Sequence, residues 1–373
     1  MCGHMRITAY LLLVAAASAQ VQTYQPLQSN NQQAFQPLKN DTVWLTAQGT
    51  FITGTAAEGD IHGHAHDPQQ DVNLQGLDTG INFNYGHFAG FANVNTFESA
   101  EGTLGSEMEE AFIKVQDLPL NLTLRGGRFL NRIGTQNSTH LHGWTFTDAN
   151  ASTIHYLGEE GLTSNGGEIT WDQEYEKGIF AISTAYGAVV EHEHGHEEEE
   201  EEEHEGWADE VLTTRALLKY NISDFYQNAL GANYAKAVGG GTRDLLAVDY
   251  TFTWRANGLE AGGNAFSVTG EYYQLDAGEE PLAGTLFGAQ YTWDNGFSVA
   301  ARYEDAEFEH EHEGEHELTS REKYSLAVSY MRPIDQDWFG IARLQYNTDS
   351  FEGDNSNSTW LQLGLNYGGG EVR

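Results

Sequence analysis

From residue 41 onward, apolar and polar residues alternate with a period of two. Leu246, Val248, Tyr250, Phe252 and Trp254 fall on one face, and Ala247, Asp249, Thr251, Thr253 and Arg255 on the other. Leu361, Leu363, Leu365 and Tyr367 alternate with Gln362, Gly364 and Asn366, and Tyr324, Leu326, Val328 and Tyr330 with Ser325, Ala327 and Ser329. Phe297, Val299, Ala301 and Tyr303 alternate with Ser298, Ala300, Arg302 and Glu304. Successive strand side chains point to opposite faces, so this period predicts strands with one apolar and one polar face. Each segment runs for roughly 9–11 residues, the length that a tilted strand needs to cross hydrocarbon.

The pattern predicts about sixteen strands, within a range of about 12–18. They lie near 43–54, 72–85, 88–97, 107–116, 120–129, 166–173, 178–190, 210–220, 226–237, 244–255, 265–275, 283–293, 296–308, 322–331, 338–347 and 359–367. Connection lengths follow parity. Even-numbered strands end in tight links, such as Asp117-Leu118-Pro119 and Asp294-Asn295. Long segments follow odd-numbered strands at 55–71, 130–165, 191–209, 309–321 and 348–358. Short turns at one end and long loops at the other mark an all-β, antiparallel, up-and-down transmembrane barrel. With the N-terminus periplasmic, the long loops are extracellular.

The N-terminus supports export. Arg6 precedes the apolar run Ile7 to Ala17, and Ala17-Ser18-Ala19 is a small-residue cleavage site, so residues 1–19 read as a signal peptide. Residues 20–40 form a polar, Gln- and Asn-rich periplasmic leader, and 41–373 form the barrel. Strand-end aromatics (Trp254, Trp293, Tyr303, Tyr330, Tyr346, Tyr367) suit interfacial girdles. Together these features favour the outer membrane of a Gram-negative-type bacterium over a soluble sandwich. Its lipids, lipopolysaccharide and the barrel-insertion machinery are then the expected partners, and a homotrimer fits the architecture.

Composition narrows the chemistry. The formal net charge of -37 excludes nucleic acid, whose phosphates need clustered Lys and Arg, and favours cations. Cys2, the single cysteine, lies within the signal segment, so the mature chain has no thiolate ligand. No nucleotide loop or catalytic triad emerges from spacing, and the chain does not read as an enzyme.

Ten of the fifteen histidines fall in three acidic segments. The first holds His62, His64 and His66; the second His192, His194, His196 and His204 around the run Glu197 to Glu203; the third His310, His312 and His316. Imidazole and carboxylate are the ligands open to a thiol-free chain for zinc, copper(II) or nickel(II). A divalent cation, zinc foremost, is therefore the expected bound or transported ion, with no covalent cofactor. The competing reading is a solvated acidic surface, which suits the Glu197–Glu203 run best.

Another constellation spans 126–171. It runs Gly126-Gly127-Arg128-Phe129, Asn131, Asn137, His140, His142, Trp144 and Asp148, then Gly158-Glu159-Glu160-Gly161-Leu162 and Gly166-Gly167-Glu168-Ile169-Thr170-Trp171. Its mixed composition predicts a long loop folded back into the barrel as a constriction. On these motifs and the His-rich segments the chain resembles porin-like outer-membrane proteins related to the phosphate-selective porins, including His-rich, zinc-associated members. The resemblance covers about a third of the chain and implies a single-domain barrel with a pore role, with His140, His142 and Asp148 at the motif positions. Metal ligation and loop packing through backbone hydrogen bonds are equally compatible with His140 and His142. Two departures stand out: the final residues Gly368 to Arg373 lack a terminal aromatic, and the acidic charge does not suit phosphate.

The leading functional expectation is a channel whose loops concentrate divalent metal. The alternatives are a non-transporting surface metal receptor or store, and a general porin with acidic loops.

Overall fold

In the computed structural model, the described residues are 43–372 except 57–70, 100–101, 159, 191–206, 208, 240–242, 262, 277–280, 313–314, 336, 352–353 and 369–370. The signal segment, the leader and the first two His-rich tracts lie outside them. Sixteen strands close into one antiparallel barrel in which each strand pairs with its sequence neighbours and β1 pairs with β16. The strands are β1 (Val43–Thr55), β2 (Asn73–Tyr85), β3 (Phe88–Glu98), β4 (Leu104–Leu118), β5 (Leu122–Leu130) and β6 (Thr163–Tyr175). Then come β7 (Gly178–Val189), β8 (Glu210–Ser223), β9 (Tyr226–Val238), β10 (Asp244–Arg255) and β11 (Ala265–Asp276). The last are β12 (Leu282–Thr292), β13 (Phe297–His312), β14 (Glu315–Pro333), β15 (Trp338–Phe351) and β16 (Asp354–Tyr367). Closure leaves no edge strand, which satisfies the backbone without water.

The alternation sorts inside from outside in the sense opposite to a soluble protein. Leu246, Val248 and Tyr250 are 56%, 49% and 41% exposed, whereas Asp249 between them is 1% exposed. Leu361, Leu363 and Leu365 face out while Gln362 is buried, and Leu326 faces out beside the buried Ser325. Large apolar side chains on the perimeter around a polar interior belong in hydrocarbon. The barrel is thus a transmembrane one.

β1 starts at the end where even-numbered strands terminate, which defines a turn end and a loop end. Two of the segments expected as long loops are instead strand. Between β13 and β14 the ladder continues through the third His-rich tract, with Cα partners His310↔Glu317, Glu311↔His316 and His312↔Glu315. Likewise β15 and β16 pair out to Phe351↔Asp354, replacing the loop expected at 348–358. A hairpin satisfies its own backbone groups beyond the membrane, so strand pairing persists where the apolar pattern that reveals strands has ended. The expected loop at 130–165 is real, shortened to the stretch between Leu130 and Thr163. No helix among the described residues is long and apolar enough to cross a membrane.

Candidate functional site: a constriction inside the barrel

The β5–β6 loop folds into the lumen, as its composition suggested. Asn137 closes its stem: its Nδ2 donates to Asn131 O at 2.7 Å, and its Oδ1 accepts from Leu162 N–H at 2.8 Å. Gly134 then turns the chain inward at φ +59, where an added Cβ would collide with the Tyr273 hydroxyl. The loop carries a 3-10 turn, Leu141–Gly143, and a short helix α1, Ala151–Leu157.

Wall residues from around the barrel hold this loop by its backbone. Arg215 donates to Gly134 O at 3.0 Å. Arg343 donates to Trp144 O at 2.8 Å and Phe146 O at 3.1 Å. Gln75 donates to Thr147 O at 2.5 Å, and Glu304 accepts from Ala151 N–H at 2.8 Å. Tyr156 on α1 donates to Glu307 O at 2.8 Å. The alternation predicts Asp249, Arg255, Arg302 and Glu304 as lumen-facing; Asp249, Arg302 and Glu304 are buried, and Arg255 is half-buried.

Asp148 is the electrostatic anchor. Arg302 Nη2 reaches its Oδ1 at 2.8 Å, Lys323 bonds its Oδ2, and Gln345 donates to it at 2.8 Å. Burial alone would raise its pKa; the charges of Arg302 and Lys323 outweigh burial and hold it well below the usual carboxylate range. Asp148 therefore does not join the histidines, contrary to the motif-based expectation. Two cations already saturate its carboxylate.

His140 and His142 do come together, 5.7 Å between ring centroids, on the side of the lumen formed by β2 to β4. His142 Nδ1 lies 3.0 Å from Asp78 Oδ2. His140 Nε2 lies 3.1 Å from Glu110 Oε2 and 3.6 Å from Glu109. Sequence reasoning missed all three carboxylates. Glu109 and Glu110 are consecutive, yet both face inward, because the β3–β4 register shifts between Asn93 and Asn95. A bulge of this kind re-aims a side chain that strict alternation assigns to the other face. Asn93 sits between them, donating to Glu109 at 2.5 Å and accepting Glu110 N–H at 2.9 Å.

The segment after β16 completes this cluster. Gly368 has φ +94, and Val372, fully buried, donates its N–H to Asn82 Oδ1 at 2.7 Å. Glu371 is thereby brought to 3.5 Å from His140 Nδ1 and 3.8 Å from His142 Nε2. Among the described residues, Asp78, His140 and His142 form a group able to offer a metal one donor atom each, all within 4.8 Å of one another. Elsewhere, a cavity of about 90 Å³, partly open to solvent, remains between the loop and β11 to β13, with Gln136, Trp144, Ser267, Thr269 and Gln290 in its lining.

No family model matches the chain. An uncharacterized protein of Aquifex aeolicus (strain VF5) is 30% identical over 115 residues, covering 30% of this chain and 24% of that one. The chain thus spans about a quarter of the length of the curated relative it matches. Among solved structures, OprB of Pseudomonas putida superposes with a TM-score of 0.59 at 10% identity, covering 89% of this chain and 95% of that one. A loop-deletion form of OmpT, an outer membrane protein of Vibrio cholerae, gives 0.54 at 12% identity, with 87% and 98% covered. An anion-selective porin from Comamonas acidovorans gives 0.51 at 12% identity, with 87% and 99% covered. At such identities the likeness concerns the fold alone: the chain shares the barrel architecture of outer-membrane porins.

Proposed function

We propose that this protein is a porin-like channel of a bacterial outer membrane that admits divalent cations, zinc foremost. The observation that carries the reading is the inverted barrel: an apolar perimeter around a polar lumen narrowed, between its two ends, by one wall-anchored loop. Buried polar groups without a pathway to serve would be a costly way to fill a barrel. Porins with the same architecture support the channel assignment, and one solved form of OmpT is a trimer, the assembly we propose here. The cation preference rests on the acidic charge of the chain and on its His- and Glu-rich tracts. Weak multi-site binding at a channel mouth raises local ion concentration while permitting release.

Zinc influx into vesicles loaded with a zinc-sensitive dye tests this reading. The intact barrel is expected to admit zinc faster than a form with 191–205 and 309–317 deleted. Equal rates would reduce the tracts to solvated surface and leave a general porin.

One observation favours a second reading. The loop is fixed to β2, β8, β13 and β15, walls on different sides of the lumen. A loop held all round is also how a barrel is plugged, and a plugged barrel bearing these tracts is a surface metal store. Ion conductance separates the two.

A further inference from the structure

We propose that Asp78, His140 and His142 hold one divalent transition-metal ion inside the constriction, with Glu110 and Glu371 orienting the two imidazoles. The inference deepens the reading of a metal-admitting channel, but it stands on lumen residues alone and is independent of the surface tracts.

Geometry makes the argument. A histidine that ligates a metal almost always donates its other ring N–H to a carboxylate or carbonyl, which fixes tautomer and orientation. Both imidazoles here have a carboxylate at each ring nitrogen. Glu110 faces Nε2 of His140 at 3.1 Å and Glu371 faces its Nδ1 at the longer distance of 3.5 Å, so we assign Nε2 to Glu110 and Nδ1 to the ion. Glu371 faces Nε2 of His142 at 3.8 Å, which leaves Nδ1, 3.0 Å from Asp78, as the ligand atom. The two Nδ1 atoms and one Asp78 oxygen then form a mixed set of two nitrogens and one oxygen. Tetrahedral ligands about 2.0–2.1 Å from an ion stand about 3.3 Å apart. Asp78, His140 and His142 each offer one donor atom within 4.8 Å of the others, so a trio of donors would draw in by about 1.5 Å at most to meet that spacing.

Charge points the same way. Asp78, Glu109, Glu110 and Glu371 surround two imidazoles, and the side chain of His140 is fully buried. Carboxylates gathered out of water repel one another unless a cation joins them, and a dication supplies two charges at one point. Imidazole nitrogens select zinc, nickel or iron(II) over magnesium and calcium, which prefer all-oxygen sites. Three protein ligands leave such an ion a position for water, so it can be handed on.

The test uses the full chain, refolded, with the ten histidines of the three surface tracts replaced by serine. Cobalt(II) absorption and zinc competition against a chromogenic chelator are expected to show one ion per chain. H140Q and H142A, made separately so that one folded variant suffices, are expected to lose it. E110Q should weaken it about 10–100-fold, the usual effect of an orienting carboxylate. Circular dichroism confirms the barrel in each preparation. No stoichiometric ion in the serine-substituted chain, or an ion retained when a histidine is replaced, would overturn the proposal. Conductance of the same preparations reports on the channel separately, so either reading can fail alone.

Discussion

Asp148 shows how one side chain positions a whole loop. It bonds Arg302, Lys323 and Gln345 from three successive strands, while Arg302 also donates to Asn150 Oδ1 at 3.0 Å. Removing the charge takes a counter-ion from Lys323 and one of two from Arg302, which keeps Glu304 at 3.0 Å, and breaking a buried pair costs about 3–5 kcal/mol. D148N is expected to release the middle of the loop, seen as lower stability in urea and a higher, noisier conductance. Unchanged values would mean that backbone anchors suffice. The pH dependence has a definite sign. Because the folded-state pKa of Asp148 is depressed, its contribution is fully present above the unfolded value of about 3.9, and it is lost only as pH falls through the lower folded value. Loop release on acidification should therefore come well below pH 4 for this residue; release at pH 5–6 would implicate other groups. At this scale the sequence was least informative. The pairing of Asp148 with Arg302 spans 154 residues, and Asp78 meets His142 across 64, distances over which spacing carries no signal.

Strands were the legible elements. A closed barrel makes every strand obey the same inside–outside rule, so the period-2 pattern located all sixteen, most of them to within a few residues at either end. The rule fails where its cause ends. Above the membrane nothing demands an apolar face, and β13 to β16 extend there unannounced. It fails again at bulges: both Glu109 and Glu110 turn inward at the β3–β4 shift, and Gln75 and Gly76 are both buried beside the β1–β2 shift between Thr50 and Phe51. Both bulges flank the histidine cluster. The rule itself is testable at Leu363, outward-facing and opposite Phe51 and Ala342. L363R is expected to cost about 2–4 kcal/mol in folding into vesicles, the penalty of a cation on the lipid face near the midplane. A neutral result would mean that this surface does not meet lipid.

At the scale of the whole molecule, the barrel separates its charges. Several lumen cations are paired: Arg125 with Glu168 at 2.9 Å, Arg215 with Asp249 at 2.7 Å and Arg321 with Asp349 at 2.5 Å. The net charge of -37 already counts these cations, and a field of that sign enriches cations at the surface. The constriction loop decides whether this enrichment leads to transport. The most direct measurement is planar-bilayer conductance of the purified chain beside a form in which residues 135–158 are replaced by a short Gly-Ser linker. Discrete steps from the intact chain, growing several-fold in the shortened form, are the predicted result. A silent intact chain that conducts only when the loop is removed would contradict a channel and leave a plugged metal store.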